Sequence, residues 1–192
     1  MTMTRRRVLS ALAATTALAT VFLALPARAA NAATIDSRVN LALGKLWEQV
    51  PFARELANKS KGMLIMPRVV KGGFIVGGAY GEGALRLNDG TGNYTTSAAY
   101  YSVASGSFGL QAGIQKTSHA LFFLTDAALD KFRCSDGWEV GADAEVTFPD
   151  AGLNAGLDST TLNKPIVGVV FGEDGFLVGA SLEGAKYSAI NR

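Results

Sequence analysis

The chain has 192 residues, of which 48% are hydrophobic and 18% are charged, with a formal net charge of +2 at pH 7. This length suits one domain that buries a core without covalent cross-links. Cys134 is the only cysteine, which excludes an intramolecular disulfide, and we expect it to be a small buried hydrophobic residue. His119 is the only histidine, so a catalytic triad or histidine-bearing metal site would depend on it alone. We expect a structural histidine and no enzyme.

The N-terminus has the pattern of an export signal. Arg5, Arg6 and Arg7 precede a run without acidic residues, which ends at the small-residue motif Ala27-Arg28-Ala29. This order is typical of a cleaved signal peptide, although the run approaches the length of a membrane anchor. The arginine pair and the modest hydrophobicity favour twin-arginine export. We therefore expect a signal peptide at residues 1–29 and one mature domain at residues 30–192, located in the bacterial periplasm or otherwise exported, peripheral to the membrane.

Charge is unevenly distributed along the expected mature chain. Removal of residues 1–29 would take away four arginines and no acid, which leaves fourteen basic against sixteen acidic side chains. Residues 30–86 contain eight Lys or Arg against four Asp or Glu, whereas residues 87–192 contain six against twelve. The basic first part favours an anionic partner, but its charge density is too low for a nucleic-acid-binding arm.

An amphipathic helix is predicted at the start of the mature domain. Apolar residues recur at three- and four-residue spacing after Asp36, and Asp36 or Ser37 can cap the first turn. Pro51 cannot donate a helical hydrogen bond, so we expect two helical pieces at residues 37–49 and 51–59.

After residue 62 the sequence changes to short apolar runs interrupted by glycine, which indicates strands joined by tight turns. Residues 107–115 and 138–147 alternate between apolar and polar, as strands with one solvated face do. Asn88-Asp89-Gly90 and Asp174-Gly175 predict turns.

A short helix is predicted at residues 126–132, capped by Asp126. Glycines inside the strands favour bends and close backbone approaches. The predicted fold class is α+β, with an N-terminal amphipathic helix packed on a curled, Gly-rich, mainly antiparallel β-sheet or partly closed barrel.

Two kinds of motif could carry chemistry. Residues 77–83 are rich in glycine but lack the Lys-Ser/Thr of a phosphate-binding loop, so a bent strand explains them better. Asp143 with Glu145, and Glu173 with Asp174, could bind a cation or act as an acid and base, yet a solvated strand face and a turn explain both pairs. We expect no catalytic residue, no metal site and no cofactor.

A basic set remains as the candidate binding site. Lys59, Lys61, Arg68 and Lys71 lie within thirteen residues at the junction of helix and strand. Such side chains can neutralise lipid phosphates, although a solvated basic face is the alternative. We predict that these four residues bind lipid.

Residues 61–78, KGMLIMPRVVKGGFIVGG, are similar to the opening motif of the SYLF domain family. Four further blocks follow in the family's order: residues 80–83, 109–113, 120–126 and 135–141. The resemblance covers residues 35–190, nearly the whole expected mature domain.

The resemblance implies a non-catalytic lipid-binding domain, which in eukaryotic relatives binds phosphoinositides and in some of them actin. Lys61 and Lys71 stand at basic positions of the family motif. With a bacterial-type signal, the expected ligand is an anionic phospholipid, a membrane surface or an acyl ligand, with a role in cell-envelope maintenance. We expect neither actin nor nucleic acid as a partner. The alternative is a structural or protein-interaction module of the envelope, in which a sheet edge or the tyrosines contact a protein partner.

Overall fold

The computed structural model describes residues 30–149, 159–172, 175, 177 and 182–192. The predicted signal peptide at residues 1–29 lies outside them, as do Glu173 and Asp174. The elements are α1 (Ala32–Gln49), α2 (Ala53–Lys59), β1 (Gly62–Leu87), β2 (Ala99–Phe123), α3 (Asp126–Cys134), β3 (Trp138–Glu139), α4 (Ser159–Leu162), β4 (Ile166–Phe171) and β5 (Lys186–Ile190). Within these ranges, every helix is too short or too polar to cross a bilayer.

The predicted division of the N-terminal helix is confirmed, but its start is not. The second piece begins at Ala53 rather than at residue 51, so Pro51 lies in the turn between α1 and α2 and not in the first turn of α2. The first turn of α1 is capped by Asn31, whose side chain accepts a hydrogen bond from the Thr34 N–H at 2.9 Å. Asp36 is therefore not the cap. Its carboxylate instead accepts hydrogen bonds from the Ser97 hydroxyl at 2.5 Å and the Tyr100 hydroxyl at 3.0 Å, which ties α1 to the sheet.

The sheet is built on the long antiparallel pair β1 and β2, which runs from Gly62 opposite Phe123 to Leu85 opposite Ala99. One end of β2 also pairs with β4, the other end with β5, and β5 pairs with β3. Every pairing between these strands is antiparallel, which confirms the predicted fold class.

The sheet curls because β1 folds back against itself. A Cβ atom on Gly83 would lie 2.0 Å from the carbonyl oxygen of Ile65, and one on Gly81 would lie 2.8 Å from that of Arg68. Only glycine permits so close an approach between two backbones. The glycine-rich residues 77–83 are thus part of a bent strand, as predicted.

Each face of the curled sheet buries its own core. Helices α1 and α2 cover one face and bury a stripe of α1 residues: Ile35, Val39, Ala42, Leu43 and Leu46. On the other face, Phe132 of α3 packs against Tyr101, Phe123 and Trp138, with ring centroids 4.7, 4.8 and 5.3 Å apart. Both faces of β1 and β2 are therefore covered along part of their length.

The strand predicted at residues 138–147 is wrong beyond Glu139. Gly141 has φ +89°, which turns the chain, and the Glu139 N–H donates to the Asp143 carboxylate at 2.8 Å. Asp143 and Glu145 consequently do not share a strand face. Apolar residues of this segment are buried although the chain turns here. Alternation of apolar and polar residues along the sequence does not distinguish such a turn from a strand.

Two expectations near α3 are also wrong, whereas one turn is confirmed. Thr125, rather than Asp126, caps α3 by accepting from the Ala128 N–H. Cys134 is exposed at the end of α3 because the buried stripe of this helix is formed by Leu129 and Phe132. The turn at residues 88–90 is present, and its glycine has φ +88°.

Candidate functional site: a basic pocket between helix and sheet

A pocket of about 420 Å³ lies between α1, the β1/β2 pair and the end of β4. We call it the basic pocket. Its lining residues are Arg38, Leu41, Ala42, Lys45, Pro67, Arg68, Lys116, Thr117, Ser118 and Gly172. Four of these are cationic and none is acidic. None of the four cations forms an ion pair with another residue that the structure describes, so no described side chain neutralises the positive charge of the pocket by direct contact.

Helix α1 forms one wall. Arg38, Leu41 and Lys45 follow at three- and four-residue spacing and therefore share one side of the helix. At a rise of about 1.5 Å per residue, this wall extends over about 10 Å. Leu41 is 70% exposed and lies between the two cations on this side of the helix. The wall thus offers charge and apolar surface together.

A β-bulge forms the opposite wall. Met66 pairs with His119 and Val69 with Thr117, so Pro67 and Arg68 oppose the single residue Ser118. Proline has no N–H for the ladder, which makes it suited to a bulge. The Ser118 hydroxyl donates to the Pro67 carbonyl at 2.8 Å and closes the bulge. The bulge places Arg68 on the pocket wall.

Two exposed apolar side chains lie near the lining residues Lys116 and Gly172. Ile114 is 74% exposed and lies two residues before Lys116, on the same face of β2. Leu177 is 40% exposed, and its Cδ1 would lie 4.0 Å from a Cβ placed on Gly172. Together with Leu41, these residues give the basic pocket an apolar rim.

His119 lies behind the pocket and carries no charge at neutral pH. Its Nε2 is 3.2 Å from the Thr117 hydroxyl, and its Nδ1 has no hydrogen-bond partner within the described ranges. Burial lowers the pKa of His119 to about 4. The prediction of a structural, non-catalytic histidine agrees with this position, and the charge of the pocket comes from Lys and Arg alone.

The four basic residues predicted from the sequence do not share one surface. Lys59 pairs with Glu55 at 2.8 Å and Lys61 with Asp126 at 3.4 Å, both at exposed positions near the start of β1. Arg68 alone among the four lines the basic pocket.

Lys71 is directed away from the pocket. It pairs with Gln115, whereas Lys116 pairs with Val70. Because side chains alternate along a strand, Lys71 and Lys116 lie on opposite faces of the β1/β2 pair. A lipid-binding role for Lys59, Lys61 and Lys71 stays a prediction.

Sequence reasoning did not find Arg38, Lys45 and Lys116. The last of these is far from the helix in sequence, and only the register of β1 with β2 brings it to the pocket. For Arg38 and Lys45, the sequence of α1 did contain an indication. Leu41 interrupts the polar side of an otherwise regular amphipathic helix, between Arg38 and Lys45.

The chain was compared with known proteins. A family model described as "Ysc84: Las17-binding protein actin regulator" matches residues 104–191. This match to the SYLF family model supports the resemblance seen in the sequence. No curated protein matches the chain.

The SYLF match covers most of β2 and everything after it, including Lys116, Thr117, Ser118 and Gly172 of the basic pocket. The α1 wall and the bulge lie before the matched range. SYLF domains form a binding-domain family rather than an enzyme family. No group of three metal-binding side chains occurs in the ranges that the structure describes.

Proposed function

We propose that this SYLF-domain protein is a non-catalytic, peripheral lipid-binding protein that contacts anionic membrane surfaces through the basic pocket. The observation that carries the proposal is the pocket itself, on which four cations from three separate elements converge. Among the described residues, none of these cations has an ion-pair partner and none of the lining side chains is acidic. Phosphate or carboxylate head groups supply the complementary charge.

Electrostatics account for attraction to such a surface. Each Lys or Arg near an anionic leaflet contributes about 1 kcal/mol. Because the contributing side chains of the pocket come from α1, β1 and β2, the charge is concentrated at one place on a protein whose mature chain is net negative. The rest of the surface should therefore contribute little attraction.

The apolar rim accounts for retention at the surface. Leu41 and Ile114 are both about three-quarters exposed, so their burial among acyl chains would remove apolar area from water. A combination of cations and apolar side chains on one face is the arrangement by which peripheral proteins lie in the membrane interface.

We place this activity in the bacterial envelope, with residues 1–29 as a twin-arginine signal that delivers the chain to the periplasm. The arginine pair, the uncharged run and the Ala27-Arg28-Ala29 motif support this location. Substitution of Arg5 and Arg6 by Lys should trap the precursor inside the cell. Normal export of that variant would contradict the twin-arginine route.

A flotation experiment tests the lipid proposal. We expect the protein to float with vesicles of phosphatidylcholine mixed with phosphatidylglycerol, and not with phosphatidylcholine alone. The double variant Lys45→Glu, Lys116→Glu reverses two charges of the pocket and should lower binding well over tenfold, at about 1 kcal/mol per charge lost and further repulsion. High salt should have the same effect.

Two matched double variants complete the design. Lys61→Glu with Lys71→Glu changes two residues predicted from the sequence that do not line the pocket, and Arg133→Glu with Lys186→Glu changes exposed residues of α3 and β5. Both should retain most of the binding. Equal loss in all three variants would mean that net charge alone determines binding, and equal flotation with neutral vesicles would rule out the electrostatic contact.

A protein-interaction module of the envelope is the second candidate. The description of the matched family names binding to a protein, Las17, for its members. In-cell cross-linking that captures one stoichiometric partner, together with no flotation on any vesicle, would favour this candidate over lipid binding.

A further inference from the structure

Glu82 is a nearly buried carboxylate that receives three hydrogen bonds, two of them from residues distant in the sequence. Its side chain is 9% exposed. One oxygen accepts from the Arg192 guanidinium at 2.5 Å and from the Tyr80 hydroxyl at 2.9 Å. The other oxygen accepts from the backbone nitrogen of Ala30 at 3.2 Å. Both ends of the described fold therefore meet at this carboxylate.

The backbone nitrogen of Ala30, the third donor, belongs to the peptide bond that the expected signal-peptide cleavage would break. The small-residue motif Ala27-Arg28-Ala29 predicts that the mature chain begins at Ala30. Cleavage would hydrolyse the peptide bond between Ala29 and Ala30: one water is consumed, Ala29 leaves as a carboxylate, and the Ala30 nitrogen becomes an ammonium group. The neutral donor that now faces Glu82 would then carry a positive charge.

We propose that Glu82 is a binding site for the α-ammonium group of Ala30, so that signal-peptide cleavage completes an ion pair that stabilises the mature protein. The site is independent of the basic pocket and of lipid binding. Ala30 directly precedes the N-cap residue Asn31, so the ion pair with Glu82 would anchor the start of α1 to β1.

The surroundings of Glu82 suit a cationic ligand. Burial opposes its ionisation, but hydrogen bonds from Arg192, Tyr80 and the Ala30 nitrogen outweigh burial and lower the pKa of Glu82. The carboxylate is thus ionised at neutral pH. Hydrogen bonds between two charged groups are shorter and about twice as strong as those of neutral groups, so a gain is expected when the donor becomes charged.

Acetylation of the α-amino group tests the proposal on the exported protein, whose intact mass should first show that it begins at Ala30. Acetylation restores a neutral amide at Ala30 without altering any side chain of the site. We expect it to lower the melting temperature of the wild-type protein by about 3 °C. In the Glu82→Gln variant, which lacks the carboxylate, acetylation should leave the melting temperature unchanged.

The Tyr80→Phe variant is the matched control, because it removes a donor to Glu82 but keeps the negative charge. Acetylation should still destabilise this variant. Equal effects of acetylation with and without the Glu82 carboxylate would overturn the proposal, as would a mature N-terminus other than Ala30.

A second measurement serves if Glu82→Gln does not fold. The α-amino group of the folded wild-type protein should react several-fold more slowly with an acylating reagent than that of the urea-unfolded protein, because pairing with Glu82 withdraws it from solution. Equal rates would show an amine free in solvent and would equally overturn the proposal.

Discussion

Substitution of Gly83 by alanine should destabilise the protein more than almost any other single added methyl group. The new Cβ would lie 2.0 Å from the Ile65 carbonyl oxygen and 2.6 Å from the Met66 sulfur. Both neighbours are buried, and the nearer one is a backbone atom that cannot rotate away. The two halves of β1 would therefore have to separate by more than an ångström.

The expected loss is at least about 3 kcal/mol, at the upper end of the usual cost of overpacking. For a domain of this size, that corresponds to a fall in melting temperature of about 10 °C. Gly44→Ala is the matched control. Gly44 is exposed in α1 with nothing within 4 Å of its Cβ position, so alanine should stabilise the protein by about 0.5–1 kcal/mol through helix propensity.

Urea unfolding of the two variants, followed by circular dichroism, measures both free energies on the same scale. We expect opposite signs for the same chemical change. If Gly83→Ala were as stable as the wild-type protein, β1 would not fold back on itself as described.

Two further predictions concern the pocket and its surroundings. Burial holds the pKa of His119 at about 4, below the ordinary value of 6.5. As pH falls, the unfolded chain takes up the proton before the folded protein does, so the free energy of unfolding declines from about pH 6.5 towards pH 4. The loss amounts to about 3 kcal/mol; urea unfolding at several pH values should show a shallower decline for His119→Gln, and parallel declines would contradict the assignment. Leu41→Ser should leave the free energy of unfolding within about 0.5 kcal/mol, because the side chain is exposed, yet lower flotation with anionic vesicles about tenfold. Ala127→Ser, at an exposed position of α3, should change neither, and unaltered flotation of Leu41→Ser would exclude insertion at this point.

The fold class could be predicted because the spacing of apolar residues and the positions of proline and glycine depend on the local backbone geometry of helices, strands and turns. The apolar spacing of α1 and the helix break at Pro51 follow from the helical period and from the missing N–H of proline. The start of α1 could not be predicted in the same way. Asp36 is a good cap by type, but tertiary contacts with Ser97 and Tyr100 use its carboxylate elsewhere, and Asn31 takes its place.

The candidate site depended on contacts that no local pattern contains. Lys116 meets α1 only through the register of β1 with β2, and that register is shifted by the bulge at Pro67 and Arg68. Proximity in sequence grouped Lys71 with Arg68, although strand alternation places Lys71 on the other face. The basic first part of the chain contains three of the four pocket cations, but Lys116 lies in the acidic second part, where charge density gave no sign of it.

The most direct test of lipid contact at the basic pocket is an environment-sensitive fluorophore placed on its rim. Cys134 is exposed, so Cys134→Ser provides a background without reactive thiols. A nitrobenzoxadiazole label at Leu41→Cys should brighten and shift to the blue when anionic vesicles are added, whereas the same label at Lys186→Cys on β5 should stay in water. A response at position 186 with none at position 41 would contradict membrane contact through the basic pocket.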